Sequence, residues 1–297
     1  MGTRDVVVIG AGPAGIATAI QLKRHGIEPL ILERGEIGGL LKNANLVENY
    51  PGFPDGISGL SLIELFERQL ARAGVTISCE AVLGLEHAGE VFSLKTNRRE
   101  LRSSMVVIAT GTKPKRTPEI RIARGIDDRV LHEVHPIRGL KRKRVAIIGA
   151  GDAAFDYALG LSKENEVVIL NRSAEEKCIP LLKERCVNVE RISYRTSLCV
   201  REVKDDAGGL ILHCLNGEGE KESQILADYV VIAAGREPCL DFLGAKLKGS
   251  LADLRERGKL YLIGDVKNEL YRQTAICVGD GVKAAMQICR KTRGERS

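Results

Sequence analysis

Residues 5–20 read DVVVIGAGPAGIATAI. Four apolar residues, Val6 to Ile9, run into Gly10-Ala11-Gly12-Pro13-Ala14-Gly15, and an alanine-rich segment of helical composition follows. A buried strand that ends in a glycine turn and opens a helix suits the pyrophosphate of a dinucleotide. Gly10 lets the chain turn, Gly12 lets the backbone approach the phosphates, and Gly15 lets the helix pack close to the strand. Pro13 and Ala14 start the helix, whose free N–H groups and partial positive charge face the anion. The predicted second strand, Glu28 to Glu33, ends 23 residues after Gly10 in Glu33, a carboxylate placed to accept hydrogen bonds from a ribose diol; Arg34 follows it.

The chain has 297 residues, enough for about two domains. Hydrophobic residues at 44% and charged residues at 28% place it with soluble globular proteins. The formal charge of +6 is spread along the chain. Its densest clusters, Lys141 to Arg144 and the tail Arg290 to Arg296, read as solvated charges. With 4% aromatics and no Trp, the chain lacks the stacking residues of single-strand binders, so no nucleic-acid partner is expected. No apolar run approaches the ~20 residues of a membrane span. The N-terminus enters a predicted strand directly, without the pattern of a signal peptide. The cysteines stand at 79, 178, 186, 199, 214, 239, 277 and 289, with no pair spaced as CxxC, which suits reduced thiols and a cytoplasmic location.

Beyond Glu33, Gly35 to Gly39 form a second glycine turn and Asn43 to Pro54 a loop. Gly59 to Gly74 has a helical apolar period at Leu62, Leu65, Phe66 and Leu70. Three runs, Ala81 to Leu85, Val91 to Lys95 and Leu101 to Ala109, predict an antiparallel meander closing at Thr110-Gly111. After Pro114 and Pro118 the pattern restarts. Val145 to Ile148 leads into Gly149-Ala150-Gly151-Asp152-Ala153-Ala154, then a helix, the strand Val167 to Leu170, short strands, and a closing strand Tyr229 to Ala233 before Gly235. Gly10 matches Gly149 and Gly111 matches Gly235, an internal duplication. The sixth position of the second turn is Ala154, allowed where the helix sits slightly farther off. A last strand, Lys259 to Ile263, runs into Gly264-Asp265-Val266, and Arg272 to Arg290 predict a closing helix that completes the first copy. The fold class is therefore α/β: two doubly wound three-layer dinucleotide-binding domains, the second inserted in the first.

Two dinucleotide sites in one chain imply hydride transfer from a nicotinamide to a flavin, since no side chain carries a hydride. GAGPAG, ILER, VENYPGFP, IATG, the second turn GAGD and the closing GDV with Arg272-Gln273 together resemble the low-molecular-weight, thioredoxin reductase-like branch of the pyridine nucleotide-disulfide oxidoreductases. The resemblance implies an FAD-binding domain at 1–115 and 236–297 and an NAD(P)-binding-like domain at 116–235. It assigns Gly10, Gly12, Pro13, Ala14, Gly15, Glu33 and Arg34 to the ADP half of FAD. Gly39 and Leu40 would lie along the flavin, with Asn49 facing its ring system and Thr110 and Gly111 closing the domain's site. Gly264 and Asp265 would reach the ribityl chain, and Arg272, Gln273 and Thr274 the pyrimidine edge. Gly149, Gly151, Asp152, Ala153 and Arg172 would hold NADH or NADPH. A homodimer is implied, with a small redox protein or small molecule as electron acceptor.

Two departures qualify the resemblance. The family's reductases carry a CxxC pair before the second glycine turn; here residues 130–138 read VLHEVHPIR. His132 and His135 fall near that register and read as part of a surface loop, two histidines being too few for a metal site. Without a dithiol the usual relay has no first acceptor. Readings that remain open are electron transfer like that of ferredoxin or flavodoxin reductases, disulfide reduction through Cys178, Cys186 or Cys277, and a flavin-binding redox sensor without turnover. The flavin-covering C-terminal extension of the ferredoxin reductase branch is not found after the Arg272 helix. The second departure is the basic phosphate-binding motif, which here reads Asn171-Arg172-Ser173-Ala174-Glu175-Glu176-Lys177. Arg172 and Lys177 favour the 2′-phosphate of NADPH, whereas Glu175 and Glu176 oppose it. NADPH, NADH and an impaired site all remain open.

Overall fold

The computed structural model describes residues 3–217 and 221–294; of the basic tail, residues 295–297 lie outside that range. Val6–Ile9 form most of the strand Arg4–Ile9 at the centre of a parallel sheet. Pro29–Glu33 and then Ile77–Cys79 flank it on one edge, Glu100–Ile108 and then Leu260–Leu262 on the other. A strand covered on both faces is apolar throughout, and Val6, Val7 and Val8 are fully buried. On one face Val7, Ile9, Leu30, Leu32, Val106 and Ile108 share a core with Leu85, Phe92 and Leu94 of the meander. The helix Pro13–Arg24 covers the other face, so close that a Cβ on Gly15 would stand 3.3 Å from Val8 Cγ1.

The meander strands Val82–Ala88 and Val91–Thr96 are antiparallel and join the sheet through Glu100–Ile108, whose partner edge is divided. Its first half pairs with Val91–Thr96, and its second half, Val106 to Ile108, with Leu260–Leu262. The last helix, Thr274–Thr292, packs on Pro13–Arg24 through small residues. A Cβ on Gly281 would stand 2.3 Å from the Ala14 carbonyl oxygen. Thr18 Oγ1 donates to the carbonyls of Ala14 (2.8 Å) and Gly281 (3.2 Å).

Beside the first sheet lies a buried carboxylate with no signal in the sequence. Glu80 is 4% exposed. It accepts from Ser78 Oγ (2.6 Å), Thr96 Oγ1 (2.8 Å), Arg99 Nη2 (2.7 Å) and Arg99 Nε (3.3 Å). Burial pushes its pKa up, but the hydrogen bonds from Ser78, Arg99 and Thr96 and the Arg99 charge outweigh burial and hold it at about 2.

The second unit repeats the order of four of the first unit's strands, its fifth coming from before the glycine turn in sequence rather than from the end of the chain. Ile192–Arg195, Glu166–Leu170, Arg144–Ile148, Tyr229–Ile232 and Val130–Leu131 form a parallel five-stranded sheet. Helical residues Ala154, Phe155, Ala158, Leu161 and Cys186 cover one face. A separate sheet built on Leu198–Asp206, Gly209–Asn216 and Lys221–Ala227 covers the other, burying Val203, Leu210 and Leu212. Helix layer, parallel sheet and second β-layer make the three layers.

Several elements differ from the sequence expectation. Val130–Leu131 is the fifth strand, and His135–Ile137 is a 3-10 turn, so VLHEVHPIR is tied to the sheet rather than lying in a surface loop. Arg144, grouped with solvated charges, opens a strand and donates through Nη2 to Asp228 Oδ1 at 2.8 Å. The compact units are Met1–Lys42, Val47–Lys113 and Glu237–Ser297, and Asn43–Leu46 with Pro114–Arg236. Residues 43–46, expected with the first unit, group with the second. Buried Asn43 explains this: its Oδ1 accepts from the N–H groups of Val134 (3.1 Å) and His135 (3.0 Å), and its Nδ2 donates to Glu133 (3.3 Å). The N–H of Asn45 donates to Asp156 at 2.7 Å. Among the described residues no helix is long and apolar enough to cross a membrane.

Candidate dinucleotide-binding sites

The two glycine turns have nearly the same geometry. Gly10 has φ +105° and Gly149 φ +127°, and a Cβ on either would stand 2.4 Å from a carbonyl oxygen, of Ala109 and Ala233 respectively. Only glycine fits both the torsion and the approach. Gly12 and Gly151 cap their helices in extended conformations (φ −77° and −94°) that any residue adopts. A Cβ on either would meet nothing within 4 Å. The fold therefore demands Gly10 and Gly149 but leaves Gly12 and Gly151 facing open space at a helix N-terminus, where a pyrophosphate needs backbone access. The turns differ at their last position. A Cβ on Gly15 would stand 2.0 Å from the Gly10 carbonyl oxygen, whereas Ala154 is accommodated and buried.

In the first unit, Pro13 opens the helix and Ala14 and Gly15 occupy its first turn. Their N–H groups precede the first intrahelical bond, Ile16 N–H to Gly12 O (3.0 Å). Glu33 accepts one backbone hydrogen bond on each oxygen, from Ala11 N–H (2.7 Å) and Gly35 N–H (2.9 Å). Each oxygen keeps lone-pair capacity for a diol. Gly39, at φ +56°, stands beside Gly12, its Cβ position 3.5 Å from Gly12 Cα, and begins the 3-10 turn that holds Leu40. Thr110 Oγ1 donates to the Cys239 carbonyl (2.7 Å), and the Cys239 N–H donates to the Gly111 carbonyl (3.1 Å). Arg34 Nη1 lies 3.9 Å from Cys239 Sγ. Asn49 and Gln273, far apart in sequence, meet: Asn49 Nδ2 donates to Gln273 Oε1 at 2.9 Å. Gln273 caps the helix that Thr274 begins, with Arg272 just before it. Gly264 and Asp265 start a 3-10 turn; a Cβ on Gly264 would stand 2.9 Å from Ala14 Cβ, so this turn lies against the first helix.

In the second unit, Asp152 and Ala153 open the helix, and Asp152 Oδ1 accepts from the Ile179 N–H (2.8 Å). Lys177 N–H donates to the Ala150 carbonyl (2.9 Å), bringing the loop after the second strand to the glycine turn. Asn171 holds that loop, donating to the Glu175 carbonyl (2.8 Å) and Tyr194 Oη (2.9 Å). Arg172 is 75% exposed, with Glu119 at 3.9 Å. Glu176 is paired with Lys183 at 2.7 Å, and that hydrogen bond is the main cause that lowers its pKa. His132 Nδ1 lies 3.2 Å from the Ile232 carbonyl.

All eight cysteines are free thiols. Burial is the leading cause that raises the pKa of Cys178, of Cys186 to about 12 and of Cys214 to about 11, and it also raises Cys277. A raised pKa withholds the thiolate that disulfide exchange requires.

The sequence pointed to the turns but not to the residues that hold them from elsewhere. Asn43, Asp156 and Cys239 act through contacts set by tertiary packing and carry no local spacing signal.

A family model described as pyridine nucleotide-disulphide oxidoreductase matches residues 4–281. The chain is 29% identical over 303 residues to the thioredoxin reductase of Borreliella burgdorferi, covering 96% of this chain and 90% of that protein. Its structure is similar to that of Lactococcus lactis thioredoxin reductase, with a TM-score of 0.86, 26% identity, and coverage of 98% of this chain and 100% of the other. It is also similar to T. acidophilum thioredoxin reductase, with a TM-score of 0.85, 28% identity, and coverage of 97% and 98%.

Proposed function

We propose that this chain, which belongs to the pyridine nucleotide-disulphide oxidoreductase family, passes electrons from NADPH through FAD to an acceptor without an internal dithiol. Like its family, it is an FAD-dependent NAD(P)H oxidoreductase built on two dinucleotide-binding domains. The observation that carries the reading is the pair of open helix N-termini at Gly12 and Gly151 beside glycines that the backbone itself requires. When bound, FAD supplies hydride acceptance and onward electron delivery.

The chain's own residues have separable tasks. Ala14 and Gly15 offer N–H groups to phosphate, and Glu33 accepts from the ribose. Asp265 accepts from the ribityl polyol. Asn49 and Gln273 hold each other beside the ring system, and Gln273 offers a donor where negative charge builds on reduction. In the second unit Asp152 ties the start of its helix to Ile179 through one oxygen, beside the turn that would receive the nucleotide.

NADPH is favoured over NADH because Arg172 is exposed and Glu176 is neutralised by Lys183, leaving Glu175 and the Glu119 carboxylate beside Arg172 as the opposing charges. Arg172→Ala is expected to raise KM for NADPH about tenfold and to change KM for NADH less than about twofold, the size of one charge-assisted hydrogen bond. Equal changes for both nucleotides would remove Arg172 from phosphate recognition.

The raised thiol pKa values and the missing CxxC argue against relay through Cys178 or Cys186, and direct transfer from the flavin to a small molecule or small redox protein is the proposal. A cytoplasmic homodimer is its proposed setting. The test is anaerobic mixing of the FAD-loaded protein with NADPH, followed by turnover with ferricyanide and with thioredoxin. Rapid bleaching of the flavin, turnover with ferricyanide and none with thioredoxin are expected. Thioredoxin turnover that disappears in Cys178→Ser or Cys186→Ser would reinstate a thiol relay. Absence of bleaching by either nucleotide would make the protein a flavin-binding sensor.

A further inference from the structure

The turn Gly264–Val266 is held by two side chains of the helix Thr274–Thr292. Cys277 Sγ donates to Asp265 Oδ1 at 3.2 Å. Asp280 Oδ2 accepts from the Gly264 N–H (3.1 Å) and from Asn268 Nδ2 (2.7 Å), and its Oδ1 lies 3.5 Å from Lys267 Nζ. Cys277 and Asp280 are three residues apart and so project from one side of the helix, one above the other. Cys277 is 7% exposed, and a Cβ on Gly264 would stand 3.4 Å from its sulfur, so the thiol is also packed against the turn.

We propose that Cys277 and Asp280 are positioning residues of the FAD site: Asp280 fixes the backbone of the Gly264 turn, and Cys277 fixes the carboxylate of Asp265 for the ribityl chain. The proposal rests on the assignment of FAD to the first unit. The two contacts do different things. Asp280 satisfies a backbone donor in a turn with φ +69° at Gly264, which sets where Asp265 begins. The thiol occupies one Asp265 oxygen and leaves the other to accept from a hydroxyl. A carboxylate held before the ligand arrives loses less rotamer freedom on binding. Burial, then the neighbouring Asp265 charge, push the Cys277 thiol up, so it stays protonated and a donor at neutral pH. Cys277 therefore serves the flavin site as a hydrogen-bond donor rather than as a redox thiol.

The test is FAD titration of flavin-stripped protein, followed by flavin fluorescence, with thermal unfolding of each apoprotein as a control. Cys277→Ala is expected to weaken FAD binding about fivefold to tenfold, the cost of ordering one freed side chain on binding. Cys277→Ser keeps a hydroxyl donor and is expected to stay within about threefold of the parent, a rescue that packing alone does not predict. Asp280→Ala is expected to weaken binding by at least the same factor. In an Asp265→Ala background, Cys277→Ala is expected to have no further effect. Unchanged affinity in Cys277→Ala, or a full additional loss in the Asp265→Ala background, would overturn the role of Cys277. Unchanged affinity in Asp280→Ala would overturn that of Asp280. Parent protein that binds no FAD would instead overturn the cofactor assignment.

Discussion

Gly12→Val is expected to give a folded protein that purifies colourless. The backbone at Gly12 is extended, and a Cβ there meets nothing within 4 Å, so the substitution introduces neither strain nor a clash within the fold. The valine methyl groups instead fill the space over the helix N-terminus. A phosphate excluded from Ala14 and Gly15 loses about two charge-assisted hydrogen bonds, roughly 3–6 kcal/mol, or about 10²–10⁴-fold in affinity. Flavin absorbance of the purified protein and a FAD titration measure this directly, with circular dichroism as the check on folding. The matching variant in the second turn, Gly151→Val, is expected to remain yellow but to lose reduction by NADPH. Retained flavin in Gly12→Val would mean that the first turn is not the FAD site.

Glu80→Gln is expected to destabilise the apoprotein by about 3 kcal/mol at pH 7, because a carboxyl pKa of about 2 against an ordinary 4.5 corresponds to that much preferential stabilisation of the ionised form. The folded-state pKa is depressed, so the contribution is fully present above pH about 4.5 and is lost as pH falls towards 2. The stability gap between parent and variant is therefore expected to close over that acid window. Glu80 is buried while its partner Arg99 is 39% exposed, so the guanidinium freed by the substitution regains water and adds little further cost. Thermal unfolding from pH 7 down to pH 3 provides the measurement. A gap that stays constant with pH would show that Glu80 acts by shape rather than by charge.

These two expectations mark the limits of sequence reading. The Gly12 turn was legible because strand, turn and helix N-terminus are consecutive, although the Ala109 carbonyl that closes on Gly10 comes from far along the chain. The insertion of the second unit in the first followed from the return of a strand and a helix, Leu260–Leu262 and Thr274–Thr292, after a second complete pattern. Glu80 was not legible: its Thr96 and Arg99 partners come from a hairpin, and a lone Glu after a short strand has no distinctive spacing. Val130–Leu131 and Ile192–Arg195 are too short to show a period and become strands because a sheet edge recruits them. Likewise, Glu175 and Glu176 looked equivalent beside Arg172 until Lys183, on the following helix, distinguished them.

The divided edge of Glu100–Ile108 also bears on how the chain is made. Val106 meets its outer partner Leu260 only when a segment 154 residues downstream has been synthesised. In the interval the ribosome releases all of Pro114–Arg236, which has its own sheets and core. Domains fold as units during synthesis, so the second unit has all of its strands available before the first unit has its last one. The nascent first unit meanwhile carries an open parallel edge, the kind of surface that invites mispairing. Leu260–Leu262 closes that edge and Thr274–Thr292 then docks, so the Gly12 and Gly264 turns come together only late in the protein's biogenesis.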